Sequence, residues 1–462
     1  MKAAEQTDMT LLRQGGLREM LAISLPMVVS QACETVLIFT DRLFLSRLGP
    51  VQMSAAMGGG LTAFMMTTFF LGLIGYATAL AAQYLGAGHK HRCATVLSQS
   101  LIIALLAYPL ILAARPLAHG LFVWTDIPTE QLEPQKLYFD ILLFGCILGL
   151  LRSCFASFFS GVARTRVVML SALTAMLVNV GANYVLIFGH FGVPAMGIRG
   201  AGYGTIIGSL CGLLVLLAAY LAPGNRREFG VRLPRFDGEV MYKLLRYGYP
   251  AGVELFLNLI AFTTLILIFH AHSLSTATAV TIVFNWDMVS FVPLLGIQIG
   301  VVSLVGRYMG AGRPDIAVRV TGSGLKMAWA YSSVILVLFV CFPEQLVGIF
   351  HPEGADPVFA EAAPLAVGML RLAGLYVLAD AVMVVFSGAL RGAGDTFWTM
   401  CVSVGLHWVL LPVLHVTLNV LGLPPQTAWL ALVIFFLSFS GVFYLRYRSG
   451  KWKTLAVVRG SE

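Results

Sequence analysis

The feature that most constrains this chain is a succession of apolar stretches of 18 residues or more that recurs from one end to the other. Each stretch is long enough to cross a hydrocarbon core of roughly 30 Å as a helix. Of the 462 residues, 58% are hydrophobic and 11% are charged, whereas a soluble domain carries about 25% charged residues. The sequence therefore predicts an all-α membrane protein, because a water-soluble globule of this composition would expose large apolar patches.

About twelve transmembrane helices are predicted, and turn-forming runs such as Gly-Ala-Gly at 86–88 and 310–312 separate them. The N-terminus is polar and lacks a short apolar segment before a small-residue cleavage site, so we expect no removable signal peptide. The predicted spans are 20–46, 54–84, 93–115, 135–160, 166–189, 196–222, 242–270, 277–308, 316–342, 358–390, 396–419 and 427–447.

The distribution of lysine and arginine predicts the orientation of these helices. If both termini face the cytoplasm, 23 of the 30 basic residues lie on that side. Because positive charge is retained in cytoplasmic loops, both termini are expected inside and the helix count is expected to be even. The net charge of +8 therefore indicates membrane orientation and not a nucleic-acid partner. The opposite side receives Arg42, Arg47, Arg115, Lys136 and Arg199.

The sequence also repeats itself. With a shift of 224 residues, the segment 84–88 falls on 308–312, and Pro26 falls on Pro250. With a shift of 227, the segment 159–164 falls on 386–391, which aligns glycine and arginine as well as apolar residues. Two matches at nearly one offset indicate a duplication.

The duplication predicts two parallel six-helix repeats around a central cleft. Each half holds an even number of helices, so both halves start on the same side of the membrane. Transporters built this way bind substrate between the halves near mid-depth, whereas the alternative is a duplicated scaffold with no transport. The predicted parts are a cytoplasmic N-terminal segment at 1–19, helical bundles at 20–222 and 241–447, a basic linker at 223–240, and a cytoplasmic tail at 448–462.

Several motifs resemble the multidrug and toxic compound extrusion family, called MATE. The resemblance spans nearly the whole chain, and it implies an efflux antiporter that expels organic cations and drugs in exchange for Na⁺ or H⁺. It also implies a multi-pass protein of the bacterial inner membrane, which we expect to be a monomer in contact with membrane lipids. The motifs are Pro26 with the segment 40–49, the helix ends 83–88 and 307–312, the segment 386–396, and the segment 183–189.

Charges inside lipid are costly, so ionisable residues within the spans are the functional candidates. Asp380 lies 11 residues before Arg391, which places it roughly 16 Å from the cytoplasmic end of its helix at about 1.5 Å per residue. Tyr376 lies one turn away on the same face. This stretch is similar to the cation-binding tenth helix of the NorM branch of the family. The alternative is a structural acid paired with Arg152 or with a backbone group.

The seventh helix departs from that branch, which places a glutamate eight residues after the helix proline. Asn258 occupies that position here, and Glu254 lies one turn nearer the cytoplasm. Glu254 either replaces the missing carboxylate or the site is built differently. We predict that Glu254, Asp287 and Asp380 form an acidic cluster that exchanges a proton or Na⁺ for a cationic substrate, with Na⁺ a candidate ligand of Asp380 and Glu254. The alternative is that the three acids face different ways.

In the first half, Asp41 matches the family's acidic residue in the first helix. Glu34 lies two turns earlier on the same face, so that face should point into the protein and not at lipid. Asn179 and Asn183 share a face of the fifth helix and are candidates to line the same cavity. The alternatives are a hydrated interfacial acid beside Arg42, and asparagines that only bridge helices.

Other classes of function are disfavoured. No helical His-Glu-x-x-His pattern, phosphate-binding loop or spaced cysteine framework occurs in the sequence, so we expect no enzyme activity, no ATP-driven transport and no cofactor besides the coupling ion. The nearest alternative function is a lipid or lipid-linked oligosaccharide flippase of related architecture. Such proteins tend to have cavities richer in basic residues, whereas acids dominate the mid-depth positions here.

Overall fold

The protein is described from a computed structural model, within residues 14–125, 127–230, 235–351, 356–455 and 457–458. Its regular elements in these ranges are helices. They are α1 (Leu17–Ser46), α2 (Pro50–Gly75), α3 (Ala77–Gly86), α4 (Lys90–Ala113), α5 (Arg115–Trp124), α6 (Thr129–Gly161), α7 (Thr165–Phe188), α8 (Ile198–Leu221), α9 (Pro223–Phe229), α10 (Gly238–His270), α11 (Leu274–Gly310), α12 (Pro314–Cys341), α13 (Pro343–Gly348), α14 (Pro357–Ala393), α15 (Thr396–His415), a π-helix (Val416–Val420), α16 (Pro425–Arg448) and a 3₁₀ helix (Lys451–Thr454).

Twelve helical segments of the described chain are long and apolar enough to cross a membrane, which confirms the predicted all-helical membrane fold. Two of them join neighbouring elements, since α2 with α3 and α15 with the π-helix each form one span. The largest difference from the predicted bounds is at α6, which begins at Thr129 and not at 135. Pro128 precedes a polar first turn there, because helices often start with polar residues that the apolar pattern does not detect.

The outer surface carries many exposed apolar side chains, among them Leu105, Leu106 and Leu110 of α4. Such a surface would be unfavourable in water, and it suits contact with lipid tails. The protein is an integral, multi-pass membrane protein.

The described chain divides into two compact units. The N unit comprises Leu25–Phe256, Gly310–Gly312 and the described part of Val457–Glu462. The C unit comprises the described part of Met1–Ser24, Leu257–Met309 and the described part of Arg313–Ala456. Helices α1 and α10 therefore each contribute to both units, since α1 changes unit after Ser24 and α10 changes unit after Phe256.

The N unit is organised by a close crossing of α7 and α8. Helix α8 carries glycines at 200, 204, 208 and 212, one per turn. A Cβ atom at Gly208 would lie 2.8 Å from the Ala175 carbonyl oxygen of α7, so this spacing requires the absence of a side chain. Glycines at four-residue intervals let two helix backbones approach in lipid, where there is little hydrophobic force to draw helices together.

The start of α10 packs in the same way within the N unit. A Cβ atom at Gly72 of α2 would lie 2.7 Å from the Ala251 carbonyl oxygen, and one at Gly248 would lie 2.7 Å from the Leu73 carbonyl oxygen. The rings of Tyr76 and Tyr247 stack with centroids 5.8 Å apart. The first part of α10 is therefore held against α2.

The C unit is built around α14, against which α12 and α16 pack. Its core contains Trp429, which is fully buried between Phe269 and Phe284. The start of α1 belongs to this unit, where Glu19 accepts a hydrogen bond from the Tyr308 hydroxyl at 3.0 Å. Residues of α14 such as Met369, Ala373 and Val377 are part of this core, close to Asp380 on the same helix.

Candidate functional site

The N unit contains a buried polar network centred on Asp41. Asn183 donates from Nδ2 to Asp41 Oδ1 and also to Asn179 Oδ1 at 3.2 Å. The Thr205 hydroxyl lies 3.4 Å from Asp41 Oδ2, and Asn179 Nδ2 lies 3.3 Å from Thr205 Oγ1. Asp41 is 9% exposed and both asparagines are fully buried. The structure thus brings together three of the four first-half candidates, Asp41, Asn179 and Asn183.

The glycines of α8 explain how the asparagines reach Asp41. A Cβ atom at Gly204 would lie 1.9 Å from Asn183 Oδ1, and one at Gly208 would lie 2.8 Å from the Cβ of Asn179. Because no side chain projects from α8 at these turns, the two amides occupy the space between α7 and α8. Thr205, which follows Gly204 in the sequence, then faces the same carboxylate.

Sequence reasoning missed Thr205, although the four-residue glycine spacing marks the packed face of α8. It also missed Tyr138 of α6, which lies beside both Asp41 and Thr205. Thr205 further lines a cavity of about 170 Å³ in the N unit. This cavity is also lined by Thr67, Leu71, Leu142, Gly145, Cys146, Gly149, Leu150, Ile206 and Ser209.

Glu34 does not join the Asp41 network. It accepts a hydrogen bond at 2.7 Å from the guanidinium of Arg152, within the N unit. The sequence left open that Arg152 pairs with Asp380, and the structure instead pairs it with Glu34. Glu34 therefore acts as the counter-ion of an arginine inside the spans.

The C unit brings Asp287 of α11 to the face of α14 that carries Tyr376 and Asp380. The Tyr376 hydroxyl donates to Asp287 Oδ1 at 3.1 Å, and Asp287 lies within electrostatic range of Asp380. Asp380 is 4% exposed, and its Oδ1 has no hydrogen-bond partner among the described residues. Leaving a buried carboxylate oxygen unsatisfied is expensive, so this atom is a strong candidate ligand for a cation or a proton.

An aromatic ring and a serine of α16 contact the α14 face that carries Tyr376 and Asp380. The ring of Phe436 packs against that of Tyr376 with centroids 5.0 Å apart. Ser440, on α16 with Phe436, donates its hydroxyl to the Ala379 carbonyl oxygen of α14 at 2.6 Å. Ala379 is the residue before Asp380. Helix α16 therefore supports the orientation of both Tyr376 and Asp380.

Asn258, at the position of the family's glutamate, is bonded to a serine and not to one of the candidate acids. Asn258 donates from Nδ2 to the Ser403 hydroxyl of α15 at 2.8 Å. His407, one turn further along α15, lies with Nδ1 2.8 Å from the Ser403 carbonyl oxygen. Both contacts are within the C unit, and the sequence analysis named neither Ser403 nor His407. The Asn258 amide thus donates to a hydroxyl at this point, and its Oδ1 has no hydrogen-bond partner among the described residues.

Glu254 is 3% exposed and lies on the part of α10 that belongs to the N unit. Asp287 and Asp380 belong to the C unit. The structure therefore groups two of the three acids of the predicted cluster within one unit, and the inclusion of Glu254 stays a prediction.

Metal ligands do not cluster in the described chain, where no group of three or more His, Cys, Asp or Glu side chains could hold a metal ion. The seven cysteines carry free thiols.

Comparison with known proteins adds three findings. A family model described as MatE matches residues 26–185 and 250–421, two segments that begin 224 residues apart at Pro26 and Pro250. The chain is 27% identical over 453 residues to a probable multidrug resistance protein NorM of Thermotoga maritima, covering 96% of this chain and 94% of that protein. It is 28% identical over 397 residues to the multidrug resistance protein PmpM of Pseudomonas aeruginosa, covering 85% of this chain and 82% of that protein.

The fold also matches solved structures. One structure shows the outward-facing conformation of a multidrug resistance MATE family transporter of the MOP superfamily. It superposes with a TM-score of 0.87 at 18% identity and covers 96% of this chain and 97% of that one. At this identity the match speaks to the fold alone.

Proposed function

Since the chain belongs to the MatE family, the multidrug and toxic compound extrusion transporters, we propose that it exports small organic cations in exchange for Na⁺ or H⁺. Its similarity to multidrug resistance proteins over most of the chain supports this class of substrate. As a member of a transporter family, the protein is not an enzyme. The observation that carries the proposal is Asp380, a buried carboxylate that leaves one oxygen without a hydrogen-bond partner in the described chain.

In the C unit, the coupling ion binds at Asp380. Asp287 supplies a second carboxylate nearby, and the Tyr376 hydroxyl orients it. Two acids in low dielectric disfavour simultaneous ionisation, so the pair gains stability when it takes up either one proton or one Na⁺. For Na⁺, the proposed acidic ligands are Asp380 and Glu254.

In the N unit, Asp41 either binds the cationic substrate directly or changes its hydrogen bonds when the substrate binds. Asn179, Asn183 and Thr205 solvate its carboxylate in place of water. Glu34 keeps Arg152 neutralised, so that the acid of this network has no arginine competing for it. A positively charged group can then displace a hydrogen bond to Asp41 and gain an ionic contact.

The two six-helix halves, at 20–222 and 241–447, alternate between inward-open and outward-open cavities around a central cleft. Both termini lie in the cytoplasm of a bacterial cell, and the transporter works as a monomer in its inner membrane. Ion binding favours one state and substrate binding favours the other. The difference in affinity between the two states provides the coupling.

A lipid or lipid-linked oligosaccharide flippase is the alternative function. The described spans place acids and neutral amides at the buried polar positions, and the arginine inside α6 is paired with Glu34. An anionic headgroup would meet repulsion at Asp41 and Asp380. The organic cation is therefore the better-matched substrate.

The proposal is tested by efflux of a fluorescent organic cation from everted membrane vesicles. Na⁺ and pH gradients are imposed separately, so that the ion that drives transport is identified. Asp380→Asn should abolish the dependence of transport on the gradient. The gradient-driven rate should fall by about 5- to 150-fold, which is the usual range of coupling between two sites. Glu361→Gln, an acid in the first part of α14 outside the cluster, is the matched control.

Wild-type transport by the Asp380→Asn variant would remove Asp380 from the coupling site. Transport that responds to neither gradient would instead contradict the antiport mechanism. Equal transport of an anionic lipid and of organic cations would favour the flippase.

A further inference from the structure

Helix α9, which follows the last span of the first repeat, is fixed to the N unit by one of its faces. Asn225 is buried and donates to the Ala219 carbonyl oxygen at 2.6 Å. Glu228 forms ion pairs with Lys90 at 2.9 Å and with Arg164 at 2.5 Å. These two side chains are three residues apart and therefore lie on the same side of the helix.

Phe229 completes this attached face. It is 1% exposed and packs edge-on against Phe158, with ring centroids 5.4 Å apart. The guanidinium of Arg164 lies over its ring at 5.4 Å. Helix α9 is thus anchored at Asn225, Glu228 and Phe229, and it has little freedom to rotate.

The opposite face of α9 presents Arg226 and Arg227, which are both exposed. Helix geometry requires this placement, because successive residues are rotated by about 100° and the anchoring residues occupy the other side. Arg166 at the start of α7 and Arg235 before α10 are exposed as well. In the ranges that the structure describes, the side chains of these four arginines form no ion pair.

The acids of the same region are already paired with other bases. Glu228 is held by Lys90 and Arg164, as described above. Asp237 accepts from Arg92 at 3.1 Å, and Glu239 accepts from Lys243 at 2.6 Å. The four exposed arginines therefore form a surplus of positive charge that no carboxylate of the described ranges pairs with.

These arginines also lie at the ends of membrane spans. Arg166 is in the first turn of α7, Arg226 and Arg227 closely follow the end of α8 at Leu221, and Arg235 closely precedes α10. Phe236 and Tyr242 beside them are exposed by 65% and 60%. Exposed aromatic rings next to basic residues are typical of the headgroup layer of a bilayer.

We infer that Arg166, Arg226, Arg227 and Arg235 form a binding surface for the headgroup of an anionic phospholipid. The planar guanidinium group matches a phosphate with two parallel hydrogen bonds. Because α9 is fixed by its opposite face, Arg226 and Arg227 are presented without a large loss of freedom on binding. The surface is separate from the acids at Asp41 and Asp380, so it does not depend on the proposed transport function.

The test measures binding of dioctanoyl phosphatidylglycerol to the full-length protein in detergent by native mass spectrometry. Dioctanoyl phosphatidylcholine and inorganic phosphate serve as separate probes. The double variant Arg226→Gln/Arg227→Gln should bind phosphatidylglycerol about 30-fold more weakly, since each basic residue near an anionic headgroup contributes about 1 kcal/mol. The matched control, Arg47→Gln/Arg199→Gln, removes two exposed arginines at the other ends of the spans and should bind like the wild type.

Three results would overturn the inference. Phosphatidylcholine could bind as tightly as phosphatidylglycerol, or the Arg226/Arg227 variant could bind phosphatidylglycerol like the wild type. Inorganic phosphate at millimolar concentration could displace the lipid, which would identify a site for small anions. Because the substituted side chains are exposed, the variants should fold normally, and gel filtration verifies this before the lipid is added.

Discussion

The buried acids of the two units differ in how they are solvated. In the N unit, Asp41 receives hydrogen bonds on both carboxylate oxygens, from Asn183 and from Thr205. In the C unit, Asp380 leaves Oδ1 without a partner among the described residues, and the nearby Tyr376 hydroxyl goes to Asp287. Both carboxylate oxygens of the first acid therefore have partners, whereas one oxygen of the second has none among the described residues.

This contrast shows that burial alone does not define the role of an acid inside a membrane protein. Neutral donors replace water around Asp41 and stabilise its position as well as its charge. Asp380 lacks that replacement at Oδ1 within the described chain, which is the basis for proposing that an ion binds there. The same kind of side chain therefore has neutral hydrogen-bond donors on both oxygens in one unit and an oxygen without a partner in the other.

The largest expected effect on stability is that of Asp41→Asn. The substitution places an amide group where a carboxylate oxygen accepted a bond, so a buried donor loses its partner at a cost of about 1–3 kcal/mol. Asp380→Asn should leave stability unchanged or raised, because it removes a desolvated acid. Thermal unfolding of both purified variants in the same detergent measures the difference, and equal melting temperatures would contradict the contrast between the two acids.

Gly204→Ala should disrupt the N-unit network without touching the acid. The new Cβ would lie 1.9 Å from Asn183 Oδ1, so the amide must move away from Asp41, at a cost of about 1–3 kcal/mol for overpacking. Transport of an organic cation should fall together with stability. Gly181→Ala on α7 is the matched control, since nothing lies within 4 Å of its Cβ position. Equal behaviour of the two variants would show that the network does not depend on the glycine.

Tyr376→Phe should have a moderate effect that is confined to the C unit. It removes the hydroxyl that donates to Asp287 at 3.1 Å, and one such bond contributes about 1 kcal/mol, or about fivefold in an equilibrium constant. The ion concentration for half-maximal transport should therefore shift by about fivefold. Tyr331→Phe removes a hydroxyl bonded to the Val289 carbonyl at 3.0 Å and should not shift it. The same half-maximal concentration in both variants would exclude Tyr376 from ion binding.

The smallest expected effect concerns pH and Glu228, outside the spans. The hydrogen bond from Lys90 and the charge of Arg164 hold the pKa of Glu228 below its ordinary value, which is about 4.3. A lowered pKa stabilises the folded state above the ordinary value, and this contribution is lost only as the pH falls through the lowered one. Glu228→Gln should therefore leave the pH profile of transport between about pH 5.5 and 8 unchanged. A shifted profile would show that the linker, and not only the buried acids, responds to protons.

The helices could be predicted from the sequence because apolar length is a local property. Each span needs only its own residues to satisfy its backbone hydrogen bonds in lipid. The shared face of Asn179 and Asn183 was also predictable, since residues four apart lie on one side of a helix. Even the partner helix was marked in the sequence, because glycines at 204 and 208 indicate which face of α8 packs closely.

The pairing of charges between distant helices could not be predicted in this way. Arg152 and Glu34 are 118 residues apart, and nothing local to either one identifies the other. Helical periodicity gives the direction of a side chain around its own axis, but it does not give the rotation of a neighbouring helix. For the same reason, the sequence could not show that Asn258 bonds to Ser403, or that Asp287 and Tyr376 meet.

The division of α1 and α10 between the two units has a consequence for the origin of the fold. The first part of α1 belongs to the C unit, and the first part of α10 belongs to the N unit, so each repeat lends the beginning of its first helix to the other. In an ancestral single copy of six helices, each unit would have lacked the segment that the other repeat contributes here, unless a second copy supplied it. Two such copies would have formed a homodimer with exchanged arms, which is a low-cost route to dimers. Gene fusion would then have joined two already interdependent subunits, and the exchange of arms would have persisted within one polypeptide.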